Sequence, residues 1–168
     1  MRVIIVDKND KLLEYKERSD QSPKDIVRIS EIFLINKDNE VLVAQRTKNK
    51  SQDSGKWGPS ASGTVGEGEN YKINIIKELE ENLGFSIDPK ELILAPKRFV
   101  ETSPKYFVQM YFYKTNIKIK DFNIEKGEFA QIKWVDIPKL DKWLEKKPKD
   151  FTTSFGESFQ DLKDLEND

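Results

Sequence analysis

The sequence predicts an α+β fold in which strands outnumber helices. Three observations carry that prediction: runs of β-branched and aromatic residues broken by polar turns, one clear stretch of helical periodicity after residue 70, and a proline-led helical region after residue 136. Val3 to Val6 reads as a short strand, Asp7-Lys8-Asn9-Asp10 as a turn and Leu12 to Tyr15 as the return, so residues 1–22 form an amino-terminal β-hairpin. Pro23 ends that opening. Ile26 to Ile35 and Val41 to Arg46, joined by the polar turn Asn36-Lys37-Asp38-Asn39, read as a second hairpin.

From Thr47 to Gly68 the composition shifts to Ser, Gly, Lys and Asp, which suits a long loop with short extended pieces, and long loops in compact domains usually carry function. Ile73, Ile76, Leu79 and Leu83 then recur at helical steps, predicting a helix from Asn70 to Leu83 that Gly84 closes in a left-handed conformation. Leu92 to Val100, Tyr106 to Lys114 and Phe129 to Val135 read as strands. Helices follow from about Asp136: one entered through Ile137-Pro138 and running to Lys146, one over Ser158 to Leu165.

With 168 residues and no linker-like or repetitive tract, one domain over 1–168 is expected. The 29 basic and 30 acidic side chains nearly cancel, so bulk electrostatic binding to nucleic acid is not indicated. No apolar run approaches the roughly 18 residues that span a bilayer, and Met1 to Val6 is too short before Asp7 for a signal peptide. A soluble, cytoplasmic protein without membrane association is the expectation. The chain has no Cys and no His, which removes disulfides, thiolate nucleophiles, imidazole bases, Ser-His-Asp triads and nearly all zinc sites. Any catalysis must rest on carboxylates, Lys, Tyr, Ser or an oxygen-bound metal.

A helical wheel puts Glu78, Glu81 and Asn82 together, roughly opposite the stripe of Ile73, Ile76, Leu79 and Leu83. Just upstream lies the glycine-rich run Gly63-Thr64-Val65-Gly66-Glu67-Gly68-Glu69, where backbone can approach a ligand closely. Fixed carboxylates beside free carbonyls suit a hard divalent cation holding a diphosphate. Each feature alone has a plainer meaning. Glutamates three apart usually form a solvated face, here with Lys72 and Lys77 at hand, and the glycine run has neither P-loop nor Rossmann spacing.

Together they resemble the Nudix box, G-x5-E-x7-R-E-U-x-E-E-x-G-U with U a bulky apolar residue. Gly63, Glu69, Glu78, Leu79, Glu81, Gly84 and Phe85 match, seven of its nine fixed positions, over residues 63–85. The resemblance implies a loop-helix-loop carrying magnesium or manganese, set in an αβα sandwich around a mixed β-sheet, and hydrolysis of a nucleoside diphosphate-linked small molecule. By matched positions, Glu81 and the Gly63 carbonyl would hold metal, and Glu78 would be a ligand or the base that activates water. Glu69 would pair with Lys77. A further carboxylate is implied before the last core strand, where Glu128 is preferred over Glu125. Arg46 and Lys56 are candidates for substrate phosphates, and Trp57, Tyr71 or Phe107 for a base, although packing is the commoner work of such aromatics.

Two positions depart from the pattern. Lys77 replaces the Arg, losing its planar fork, and Asn82 replaces the last glutamate, ordinarily a metal ligand in this family. The looser likeness of Asp7 to Asp10, Arg28, Gln45-Arg46 and Gly55-Lys56-Trp57 is to the subgroup related to isopentenyl-diphosphate isomerase. There a Cys precedes and a His follows the box glycine, whereas this chain has Ser62 and Thr64, which disfavours isomerase chemistry. The expectation is a Nudix pyrophosphohydrolase. The alternative is a nucleotide-binding domain that Asn82 has made weak or inactive, and the hairpin offers an edge for a homodimer.

Overall fold

The computed structural model describes residues 1–167. Its strands are β1 (Arg2–Val6), β2 (Leu12–Glu17), β3 (Ile26–Ile35), β4 (Glu40–Arg46), β5 (Trp57–Gly58), β6 (Ala61–Thr64), β7 (Ile93–Val100), β8 (Lys105–Lys114) and β9 (Phe129–Asp136). The helices are α1 (Tyr71–Leu83), α2 (Ile137–Lys146) and α3 (Phe155–Glu166). The fold is α+β, as expected, and strand alternation decides its layers. On β3, Ile32 and Leu34 point toward α1, packing with Ile75, Leu79 and Leu83. Phe33 and Ile35 point the other way, into Leu140 of α2 and Phe155, Phe159 and Leu162 of α3. The result is an αβα sandwich around a mixed sheet.

The amino-terminal hairpin forms, with Arg2 opposite Glu17 and Ile5 opposite Glu14. Asp7 Oδ1 accepts from the backbone N–H of Asn9 and Lys11 at 2.8 and 3.0 Å, and Asp10 takes a left-handed φ of 62°. The expected second hairpin is only a turn. β3 and β4 pair at Ile35–Val41 alone and then diverge. β3 runs parallel to β8 along ten pairs, from Ile26–Lys105 to Ile35–Lys114, while β4 pairs with β9 from Glu40–Asp136 onward. Each strand carries a continuous apolar run, Ile32 to Ile35 and Val41 to Ala44, where it lies inside the sheet with both faces covered. Local turn chemistry does not reveal that divergence.

Helix α1 begins where predicted, with Asn70 capping the N–H of Ile73 at 2.8 Å. It ends at Gly84, whose φ is 60°, and a Cβ there would lie 2.7 Å from Cβ of Asn123. Its buried face differs from the wheel. Ile75, Leu79 and Leu83 are fully buried, flanked by Asn74 and Asn82, while Ile73 is 51% exposed. The apolar count is misleading because this helix buries polar side chains against the sheet. None of the helices among the described residues is long and apolar enough to cross a membrane.

Candidate active site

The glycine-rich loop is fastened to α1 and the sheet by two side chains. The buried Ser30 hydroxyl of β3 donates to Asn74 Oδ1, and Asn74 Nδ2 donates to the Thr64 carbonyl at 3.1 Å and to Glu69 Oε1 at 3.2 Å. Glu69 also accepts from the Gly66 N–H at 2.8 Å and pairs with Lys77 at 2.6 Å. Burial alone would raise the Glu69 pKa, but the hydrogen bonds from Lys77, Gly66 and Asn74 outweigh it and hold the carboxyl below its ordinary value. Lys77 therefore retains the scaffolding pair through one ammonium contact.

This fastening lays the Glu78 side chain directly over Gly63. A Cβ added at Gly63 would sit 2.5 Å from both Cγ and Oε1 of Glu78, so only glycine allows the approach. Asn82, 5% exposed and one turn along the helix, donates from Nδ2 to Glu78 Oε2 at 3.0 Å. Burial raises the Glu78 pKa, and the negative charges of Glu81 and Glu128 add to that, against the Asn82 hydrogen bond and the Lys77 charge.

Glu128 reaches this place because its loop is hooked on the end of α1. The backbone N–H groups of Asn123 and Glu125 donate to the carbonyls of Leu83 and Asn82, each at 2.8 Å. These bonds satisfy carbonyls that a helix end leaves open. A turn then brings the Glu128 carboxylate against Lys50, at 2.7 Å.

Gly63, Glu78, Glu81, Asn82, Glu128 and Arg46 all line one cleft of about 600 Å³. Arg46 is held at its rim by donating from Nε to the Gln52 carbonyl at 3.1 Å. Lys56 and Trp57 are not in the lining. Lys56 Nζ lies 3.8 Å from Asp53, and Trp57 is only 6% exposed, edge-on to Trp143 at 5.4 Å with the Lys133 ammonium 4.6 Å from its ring centre. The pairing of β5 with β4 turns the indole to the α2 layer, which the sequence alone does not disclose. Tyr71 and Phe107 are likewise structural. The Tyr71 hydroxyl donates to Asp10 at 2.9 Å, and Phe107 packs on Phe99 with ring centres 4.9 Å apart.

The cleft also has a wall that the sequence reading missed. Glu31 of β3, 7% exposed, lines it together with Asp53, Tyr106, Thr152 and Ser154. Burial pushes the Glu31 carboxyl up to about 7, with the Asp53 charge adding and the Ser158 hydroxyl and Arg98 opposing. The available signal was a lone glutamate inside the apolar run Ile29 to Ile35.

Among the described residues no three acidic side chains form a ready-made metal cage. The donors that converge on Gly63 are nevertheless hard oxygens around a carboxylate set on bare backbone. They fit an ion that keeps waters and shares phosphate oxygens, as Mg²⁺ does.

Comparisons agree with this geometry. The NUDIX domain family model matches residues 27–155. A prenyl-diphosphate phosphatase of Methanosarcina mazei is 26% identical over 153 residues, covering 90% of this chain and 89% of that protein. An isopentenyl-diphosphate Delta-isomerase of Burkholderia multivorans is 25% identical over 159 residues, covering 92% and 88%. The crystal structure of DR0079 from Deinococcus radiodurans shares the fold with a TM-score of 0.79 at 19% identity, over 95% of this chain and 98% of that one. Because the match extends far beyond the loop and helix that first suggested it, taking in β3, β8, β9 and α2, the chain belongs to the Nudix family.

Proposed function

We propose that this protein hydrolyses a diphosphate-linked small molecule, of the nucleoside diphosphate-linked class, with Mg²⁺ or Mn²⁺ as cofactor. The observation that carries the reading is the Glu78 carboxylate seated over Gly63 in a cleft shared with Glu81 and Glu128. Glu78, Glu81, Glu128, the Gly63 carbonyl and the Asn82 amide oxygen would hold the ion, while Asn82 Nδ2 donates to Glu78. A bound divalent ion supplies Lewis acidity and neutralises phosphate charge.

The chain's own groups do the rest. Glu78 has a raised proton affinity, which suits a base that takes a proton from water. Arg46 and Lys50, both on the cleft, place positive charge beside incoming phosphates. Prenyl diphosphates, named for two relatives, are the competing substrate class. Ser62 offers no thiol for proton transfer to an alkene, so hydrolysis is favoured over isomerisation. The exposed Leu12 and Leu13 on the outer strand β2 mark the edge we assign to a homodimer.

The test is a panel of nucleoside diphosphates, triphosphates, diphosphate sugars and prenyl diphosphates with Mg²⁺ or Mn²⁺, following phosphate and monophosphate release. Turnover that Glu81→Gln lowers at least about 100-fold supports the assignment. Nucleotide binding without turnover of any substrate would instead establish a sensor.

A further inference from the structure

Arg18, Arg46, Lys50 and Lys77 line the cleft, and they are held differently. Lys77 is paired with Glu69 at 2.6 Å, away from the carboxylates assigned to the ion, and Arg46 Nε donates to the Gln52 carbonyl. Among the described residues Lys50 alone forms an ion pair with one of those carboxylates. Its Nζ lies 2.7 Å from Glu128 Oε1. An ammonium so close occupies an acceptor direction of the carboxylate, so a cation that takes Glu128 as a ligand must compete with Lys50 for it.

The backbone around the pair lets it open without disturbing the fold. The Thr47 N–H donates to the Glu128 carbonyl at 3.2 Å, and the Thr47 hydroxyl to the Gly127 carbonyl at 3.4 Å. The loop after β4 and the loop before β9 are therefore joined through main chain as well. The Ser54 hydroxyl donates to the Lys48 carbonyl at 2.7 Å and closes the first loop on itself. The two charged side chains, 24% and 39% exposed, are the flexible part of this junction, and a lysine on its four-carbon stem changes partner by rotating about its own bonds.

We propose that Lys50 exchanges partners during the reaction cycle: it holds Glu128 in the ion's absence and passes to a phosphate oxygen of the substrate once Glu128 is a ligand. The idea deepens the proposed function and rests on it for the assignment of Glu128. Its two consequences have opposite signs. Lys50 opposes ion binding by competing for the carboxylate, and it favours phosphate binding because the released ammonium is a compact, mobile charge. Ion and phosphate then bind cooperatively, since the first frees the group that the second needs.

The experiment uses the full chain with Mg²⁺ alone and inorganic phosphate as probes, both followed by calorimetry, so that no turnover is needed. Lys50→Met should bind Mg²⁺ about threefold to tenfold more tightly than wild type and, at saturating Mg²⁺, bind inorganic phosphate at least about threefold more weakly. Lys50→Arg keeps the charge and the pair and should leave Mg²⁺ affinity within about twofold. In a Glu128→Gln background Lys50→Met should lose most of its gain, which separates competition for the carboxylate from the mere removal of a positive charge. Unchanged Mg²⁺ affinity in Lys50→Met, an equal gain in both backgrounds, or unaltered phosphate binding overturns the exchange and leaves the metal assignment standing. Mg²⁺ binding to neither wild type nor any variant sinks that assignment, and the exchange falls with it.

Discussion

The two halves of the cleft are built in opposite ways. The half around Gly63 and Glu78 is built on one continuous stretch, a strand end, a glycine-rich loop and a helix held by the local pairs Glu69–Lys77 and Asn82–Glu78, with Glu128 added from the loop hooked on the end of that helix and Arg46 from β4. The half around Glu31 comes from four separate places: β3, the loop at Asp53, the start of β8 and the segment before α3. The first gathers carboxylates whose charges oppose one another at Glu78. The second buries a single carboxylate that no ion pair neutralises directly. One half therefore concentrates negative charge and the other isolates one buried carboxylate, and substitutions should separate them.

The largest effect is expected at Gly63. Its strand is pinned to β3 at Ser30, and a methyl group would enter the space of the Glu78 side chain. Either the carboxylate swings away or α1 lifts. Gly63→Ala should lower hydrolysis by about 100-fold or more, since a displacement of about 1 Å at a catalytic group has that cost. It should also destabilise the fold by about 1–3 kcal/mol through overpacking. Hydrolysis within about threefold of wild type would show that the contact does not orient Glu78, and the first half would lose its defining feature.

The same contrast explains what could be read without coordinates. That Gly63, Glu69, Glu78 and Glu81 lie together was legible because the Nudix-box resemblance rests on one continuous stretch of some twenty residues, within which a loop and a helix keep them close. The strands were legible to within a residue or two because β3 and β8 are dense in β-branched and aromatic side chains. Partnership was not. Nothing local in Ile26 to Ile35 says that it pairs in parallel with a strand some eighty residues later, so a hairpin with β4 was the natural reading. Trp57 illustrates the matching failure at the site: its position was found, but the face it turns to depends on a two-residue pairing with β4. Glu31 needed the whole fold, because its cleft partners are distant in sequence.

A smaller effect should come from Glu31, and it separates the halves by pH. Burial pushes this carboxyl from 4.5 to about 7, so between those values the folded chain keeps a proton that the unfolded chain has released. Stability contributed by the neutral acid is full below about 4.5 and is lost as pH rises through 7. A shift of that size corresponds to about 3 kcal/mol. Glu31→Gln cannot titrate, so its unfolding free energy in urea should gain on that of wild type by up to about 3 kcal/mol between pH 5 and pH 8. Parallel curves for the two proteins would mean that Glu31 ionises freely and that the second half of the cleft is wetter than its burial suggests.

The smallest expected change concerns Asn82, where the first half departs from its family. The amide now donates to Glu78 Oε2 and so favours the ionised form of a carboxyl whose pKa burial and two acidic neighbours raise. Asn82→Glu removes the donor and adds a charge. Without metal, the variant should be less stable by about 1 kcal/mol, because a hydrogen bond is replaced by repulsion between neighbouring carboxylates. With Mg²⁺ the sign reverses. An added charge near a divalent ion is worth several kcal/mol before solvent and substrate screen it, so a gain of about tenfold in metal affinity is expected. Thermal melts of both proteins across a Mg²⁺ titration test both statements at once, since the variant should start lower and rise further. If the two proteins melt alike without metal and respond to it identically, Asn82 lies outside the ion's reach, and the departure from the family pattern has no bearing on catalysis.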